Sequence, residues 1–152
     1  QNDLFNMFFS IKICQNIIKT RQNMSFLQNI FGASENKNAS ESKISWNELT
    51  DLEQLNEIVS LSNEKPVLIF KHSTRCSVSR MALKQFENEF NTLDKVTLYF
   101  LDLIMYRDIS NEIANRFNVV HQSPQLLLIK DGKSIYDVSH SDIDAAELSN
   151  KI

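Results

Sequence analysis

From Lys43 onward the chain switches repeatedly between two hydrophobic rhythms. Val67-Leu68-Ile69-Phe70-Lys71 is a run without polar alternation, the pattern of a strand covered on both faces. Val96-Thr97-Leu98-Tyr99-Phe100-Leu101 and Gln125-Leu126-Leu127-Leu128-Ile129 predict two further central strands. Between these runs the apolar residues recur at helical spacing. Leu49, Leu52, Leu55 and Val59 predict an amphipathic helix over Asn47 to Leu61. Met81, Leu83, Phe86 and Phe90 predict a second over Ser77 to Phe90, and Ile109, Ile113, Ala114 and Phe117 a third over Asp108 to Phe117. Ile44-Ser45-Trp46 reads as a short edge strand ahead of the first helix, with Trp46 in the core. Asp131-Gly132 is a hairpin signal, so Lys133 to Val138 returns as an antiparallel partner. Ala145 to Ile152 closes the chain as a helix.

The resulting order is (β)αβαβαββα. Alternating helices and strands predict a largely parallel sheet, and the hairpin adds one antiparallel edge. This is the order of the thioredoxin fold: an α/β domain with a central mixed sheet of four or five strands flanked by helices. The chain has only two prolines and two glycines, so their places are informative. Gly132 occupies the hairpin. Pro66 suits the first position of a strand, where its missing N–H is not needed. Pro124 follows Ser123 and directly precedes a central strand, where a thioredoxin-like protein carries a cis proline facing the active cysteine. A cis bond is far cheaper before proline than elsewhere.

Composition narrows the setting. The apolar fraction of 42% suits a chain that buries a core, and 152 residues suit one domain with an appendage. The net charge of -3 argues against nucleic-acid binding. No apolar stretch is long enough to span a bilayer. Two widely separated cysteines do not make a secreted disulfide framework, so a reducing cytoplasm is expected. Ala33 to Ser42 is small, polar and unpatterned, a flexible linker that leaves residues 43–152 as the domain. Gln1 to Asn23 lacks the uninterrupted apolar stretch of a signal peptide. Its Asn, Ile, Lys, Phe and Gln are residues that AT-rich codons favour, so Gln1 to Asn23 is expected to be an upstream extension, with Met24 as the native start. The rival expectation is an amphipathic helix with Phe8, Ile11 and Ile18 on one side.

Candidate chemistry gathers at the junction of the first central strand and its helix. Cys76 there falls at a helix N-terminus, where unpaired N–H groups and the helix dipole favour an anion. Such placement can lower a thiol pKa from about 8.5 to roughly 3.5–7.5, and the thiolate is the nucleophile. Arg75 and Ser77 flank it, poor company for a buried packing cysteine. Ser73 or Thr74 can cap the helix. Three residues on, where a dithiol motif carries its second cysteine, stands Ser79. Its hydroxyl either donates to the thiolate or is an ordinary helix hydroxyl, but it cannot form a disulfide. Lys71, Arg75, Arg80 and Lys84 bring positive charge, either to steady the thiolate and bind ligand carboxylates or as a solvated face. Arg107 follows the second central strand, at the edge where open α/β sheets bind ligands, or else it pairs with Asp108 or Glu112. His72 can act as a nearby cation and His121 can line the groove; the alternative for each is structural. No second cluster completes a metal site around His72 and Cys76. Cys14 either resolves Cys76 or is incidental.

Lys65 to Leu83 (K-P-V-L-I-F-K-H-S-T-R-C-S-V-S-R-M-A-L), Tyr99 to Ser110 and Val119 to Gln125 closely resemble the YtxJ family, the monothiol bacilliredoxins. The K-H-S-T-x-C-x-x-S segment is the specific part of that likeness. The resemblance implies a bacterial thioredoxin-fold protein that acts with bacillithiol, a low-molecular-weight thiol that replaces glutathione in some bacteria. The expected redox centre is Cys76, with Ser123, Pro124, Arg75, Thr74, Ser79, Arg80, Arg107 and His72 around the thiol substrate. No bound cofactor is expected; bacillithiol is the cosubstrate. The expected partners are bacillithiolated client proteins and either bacillithiol itself or a bacillithiol disulfide reductase, with the protein monomeric. Two other readings stay open: a stress-related adaptor that uses the groove without turnover, and an exchange enzyme for glutathione or coenzyme A.

Overall fold

The computed structural model describes residues 44–152. The expected N-terminal extension, the alternative start at Met24, the linker over 33–42 and Cys14 lie outside the described residues. Five strands form one sheet: β1 (Asn47–Glu48), β2 (Val67–His72), β3 (Thr97–Asp102), β4 (Gln125–Lys130) and β5 (Lys133–Ser139), in the order β1-β3-β2-β4-β5. Among the described residues four α-helices accompany them: α1 (Gln54–Leu61), α2 (Ser77–Glu89), α3 (Arg107–Arg116) and α4 (Ala145–Ser149).

All six residues of β2 are buried, because both faces of this central strand are covered. Alternation sorts its side chains into two layers. Val67 and Ile69 join Leu55 and Ile58 of α1 and Ile109 and Ile113 of α3 in one core. Leu68 and Phe70 join Phe86 of α2 and Leu148 of α4 in the other. Lys71 and His72, next along the strand, therefore fall on opposite faces.

The sheet is more mixed than its sequence rhythm suggests. Strands β1, β3 and β2 are parallel, but β4 runs antiparallel to β2, and β5 antiparallel to β4. The reason lies in the β3–β4 connection. β3 ends with Asp102 beside His72, and β4 begins with Gln125 beside Lys71. The chain leaves and re-enters the sheet at the same end, so α3 does not complete a crossover. That return also brings the segment before β4 next to the segment after β2.

The N-terminal expectations need correction. The edge strand is Asn47–Glu48 rather than residues 44–46, and the first helix begins at Gln54 rather than Asn47. The Thr50 and Asp51 amides donate to Gln54 Oε1 at 2.8 and 2.9 Å, and the Glu53 amide donates to Asp51 Oδ1 at 2.8 Å. These side-chain bonds hold a turn where the apolar spacing suggested helix. Leu49 reaches the core from the end of β1, its amide bonded to Phe100 O at 2.8 Å, while Leu52 lies exposed. Met81 is exposed too, against expectation. Trp46 packs on Phe70, Phe86 and Phe100, and its indole N–H donates to Glu87 at 2.8 Å.

Asp131 and Gly132 both have positive φ (50° and 71°), as a two-residue hairpin of matched twist requires. Their amides donate to Ser62, Asp131 to the carbonyl at 3.0 Å and Gly132 to the hydroxyl at 2.9 Å. The hairpin tip is thus fastened to the end of α1.

Candidate functional site

The site is built where β2 ends. After His72 the chain turns through Ser73–Arg75, closed by a Cys76 N–H bond to Ser73 O at 3.1 Å. Cys76 then occupies the N-cap of α2 with extended backbone (φ -105°, ψ 123°), and its carbonyl accepts the Arg80 amide at 3.1 Å. Its side chain makes no capping bond and is partly exposed. The expected cap from Ser73 or Thr74 is not formed, because the residue that enters the helix is the cysteine itself. Its sulfur therefore lies at the end of a 13-residue helix whose first N–H groups have no intrahelical acceptor.

Ser79 does not serve the sulfur. It is fully buried, its hydroxyl accepts the Ser73 amide at 3.0 Å, and it shares a 2.8 Å bond with His72 Nδ1. One hydroxyl proton and two lone pairs fit this arrangement when Ser79 donates to an unprotonated Nδ1. Burial pushes the His72 pKa down, Arg80 adds to that, and Asp102 opposes it. Of the two roles open from the sequence, a neutral imidazole packed beside Phe100 fits the structural one rather than that of a nearby cation. Ser79 and His72 together tie the first turn of α2 to the end of β2.

Behind β2, on the opposite face, lies a polar group of different character. Lys71 is completely buried, and burial lowers its pKa from 10.5 to about 8. Its ammonium donates to Gln125 Oε1 at 2.8 Å. Gln125, also fully buried, accepts the Gln122 amide at 3.2 Å and donates to Val120 O at 2.9 Å and Asp137 at 3.4 Å. Between those two backbone bonds sits His121, whose Nε2 shares a 2.9 Å bond with the buried Ser110 hydroxyl of α3. Burial lowers the His121 pKa, and the charges of Lys71 and Arg107 lower it further.

This loop carries Ser123 and Pro124. The Ser123–Pro124 peptide is cis, as expected, and Pro124 is buried. The Ser123 hydroxyl is buried without a hydrogen-bond partner. Because Gln125 pairs with Lys71, the loop stands at the same end of adjacent strands as the Ser73–Cys76 turn. Thr74, Arg75, Arg80 and Arg107 are exposed around that end, and Arg80 Nη1 donates to Thr74 O at 3.1 Å. Lys84 lies farther along α2, beside Met81, Gln85, Asn88 and Glu89. Glu112 pairs with Arg116 at 3.1 Å rather than with Arg107. Among the described residues no group of three or more His, Cys, Asp or Glu could hold a metal, and no helix is long and apolar enough to cross a membrane.

The residue that sequence reasoning missed is Gln125. A glutamine at the head of an apolar strand gives no signal until the register sets it against a lysine.

Comparison with known proteins agrees with this geometry. A solved structure provisionally assigned as an oxidoreductase with a thioredoxin fold is 30% identical, with a TM-score of 0.60, over 68% of this chain and 89% of that one. The thioredoxin of Malassezia sympodialis (22% identity, TM-score 0.56, 70% and 87% coverage) shares the fold. So does mitochondrial thioredoxin 3 of Saccharomyces cerevisiae (20%, 0.56, 70% and 92%). Family and fold together give a thiol redox function of the thioredoxin-like oxidoreductase type. The family model for the monothiol bacilliredoxin BrxC matches residues 47–148. That span runs from β1 into α4 and takes in both the cysteine turn and the proline loop, so the chain belongs to the monothiol bacilliredoxin family.

Proposed function

We propose that this protein is a monothiol thiol–disulfide oxidoreductase that removes bacillithiol from mixed disulfides on other proteins. The observation that carries this reading is the state of position 79. A hydroxyl, already bonded to Ser73 and His72, stands where a second thiol would resolve an intermediate. A partly exposed cysteine at a helix N-cap, with no partner thiol in the next turn, suits exchange that is completed from outside.

The Cys76 thiolate attacks the bacillithiol sulfur of the client's mixed disulfide. A new S–S bond forms between Cys76 and bacillithiol, the old one breaks, and the client thiolate leaves and takes up a proton. A second thiolate, from free bacillithiol or a reductase, then attacks the Cys76 adduct. It becomes part of a new disulfide and returns Cys76 as thiolate, so the reducing equivalents come from that second thiol. Exposed Arg75, Arg80 and Arg107 suit recognition of the cosubstrate's carboxylates. The protein works as a monomer in a reducing cytoplasm in this reading.

Incubation with oxidised bacillithiol and intact-mass analysis tests the proposal. One adduct is expected on Cys76, none on Cys76→Ala, and loss of de-bacillithiolation in that variant. Faster reaction with glutathione disulfide at matched concentration would reassign the cosubstrate. An adduct that persists unchanged in Cys76→Ala rejects the role of this thiol.

A further inference from the structure

The buried pair Lys71–Gln125 is used by nothing in the exchange chemistry above, yet it sits directly beneath the site. A fully buried lysine with an amide as its acceptor is an unfavourable thing to keep in a core. An apolar residue would suit the face better, since Val67 and Ile69 occupy the same layer of β2. What the pair accomplishes is visible in where its bonds go. Gln125 Oε1 takes the Lys71 ammonium and the Gln122 amide, and Gln125 Nε2 reaches Val120 O. The side chain thereby grips the backbone on both sides of His121, two residues before the Ser123–Pro124 step. Lys71 in turn fixes which way the Gln125 amide faces, because only its oxygen can receive an ammonium proton.

We propose that Lys71 and Gln125 are positioning residues for thiol exchange: they hold the 120–122 backbone, and through it Ser123 and Pro124, against the end of β2 from which Cys76 follows. The proposal rests on the thiol-exchange reading and adds to it the device that sets the loop's place. It also gives exchange a proton dependence separate from that of the thiol. A charged donor bonds an amide oxygen about twice as strongly as a neutral one. With its pKa at about 8, Lys71 loses that advantage in mildly alkaline solution. The titratable groups facing it are His121 from the loop, on which Arg107 from the start of α3 also acts, and, through Gln125, Asp137 of β5. β3 offers apolar Leu101 at this register, and His72 belongs to the other layer.

The test compares two reactions of the full chain between pH 7 and 9.5. Alkylation by iodoacetamide follows thiolate formation and needs no loop. Exchange with the disulfide of acetyl-Gly-Cys-Gly-amide, an uncharged peptide, needs the loop to receive the peptide backbone. The ratio of exchange to alkylation is expected to fall by about fivefold as pH rises through 8, the loss of one charge-assisted increment. In Lys71→Met the ratio is expected to start at the lower value and stay level with pH. A wild-type ratio that holds steady to pH 9.5 overturns the proposal without any variant. So does a Lys71→Met protein that keeps the wild-type ratio and its decline. Absence of exchange at every pH removes the thiol-exchange reading and this proposal with it, whereas exchange with a steady ratio removes this proposal alone.

Discussion

Replacing Lys71 by methionine is expected to make the protein more stable at neutral pH. The lysine is wholly buried, and its pKa falls from 10.5 to about 8 in the folded chain. That drop of 10.5 − 8 = 2.5 units, at about 1.36 kcal/mol per unit, means that keeping the ammonium inside costs about 3 kcal/mol. Methionine matches the lysine stem in length and carries no charge. Its own cost is the lost bond to Gln125 Oε1, about 1 kcal/mol, because that oxygen keeps the Gln122 amide. The expected net gain is about 2 kcal/mol, within the range seen when buried ions are replaced by apolar residues. The pH dependence carries its own sign. Below pH 8 both folded and unfolded chains hold the Lys71 proton, and the penalty is constant. Between about 8 and 10.5 the unfolded chain binds more protons, so wild-type stability rises with pH. The advantage of Lys71→Met should therefore be full at pH 7 and shrink steadily toward pH 10. Urea unfolding of both proteins at pH 7, 8, 9 and 10 measures it, and their difference removes groups common to both. A variant less stable than wild type at pH 7, or a difference unchanged up to pH 10, refutes this account of the buried charge.

Ser79→Ala should cost about 2–4 kcal/mol in urea unfolding, since it strands the Ser73 amide and His72 Nδ1 inside the protein; a loss under about 0.5 kcal/mol would contradict the structural role. His72 and His121 both have lowered pKa values, so the unfolded chain binds more protons as pH falls below 6.5. Stability should decline from pH 7 toward pH 5, and His72→Gln should flatten part of that decline in thermal melts. Asp144 caps α4 through bonds to the Ala146 and Glu147 amides at 2.7 and 2.9 Å. Asp144→Ala should cost about 1 kcal/mol while leaving the alkylation rate of Cys76 unchanged.

What could be read from the chain follows from how local each feature is. The central strands announced themselves because both their faces are buried, leaving uninterrupted apolar runs such as Val67 to Phe70. Asp131-Gly132 gave its turn directly, as the conformation depends on those two residues. Cys76 at a helix start was legible from the break between two periodicities. The first helix was misjudged because Gln54 and Asp51 hold a turn by side-chain bonds, which carry no periodic signature. The direction of β4 was hidden for another reason: the pattern of a strand does not record its orientation. The roles of Ser79 and Lys71 depended on contacts across the sheet. A serine one turn after a cysteine looks available to it until a histidine seven positions earlier claims the hydroxyl. A lysine at a strand's end looks solvated until the opposing strand supplies Gln125.

The 131–132 hairpin lies at the end of the sheet remote from Cys76, and it invites use as a splice point for a fluorescent tag or an affinity handle. Its two amides are clasped by Ser62, so an insertion there would unbuckle the last turn of α1 from the sheet. A label is better carried on exposed Glu64, where no such clasp is undone.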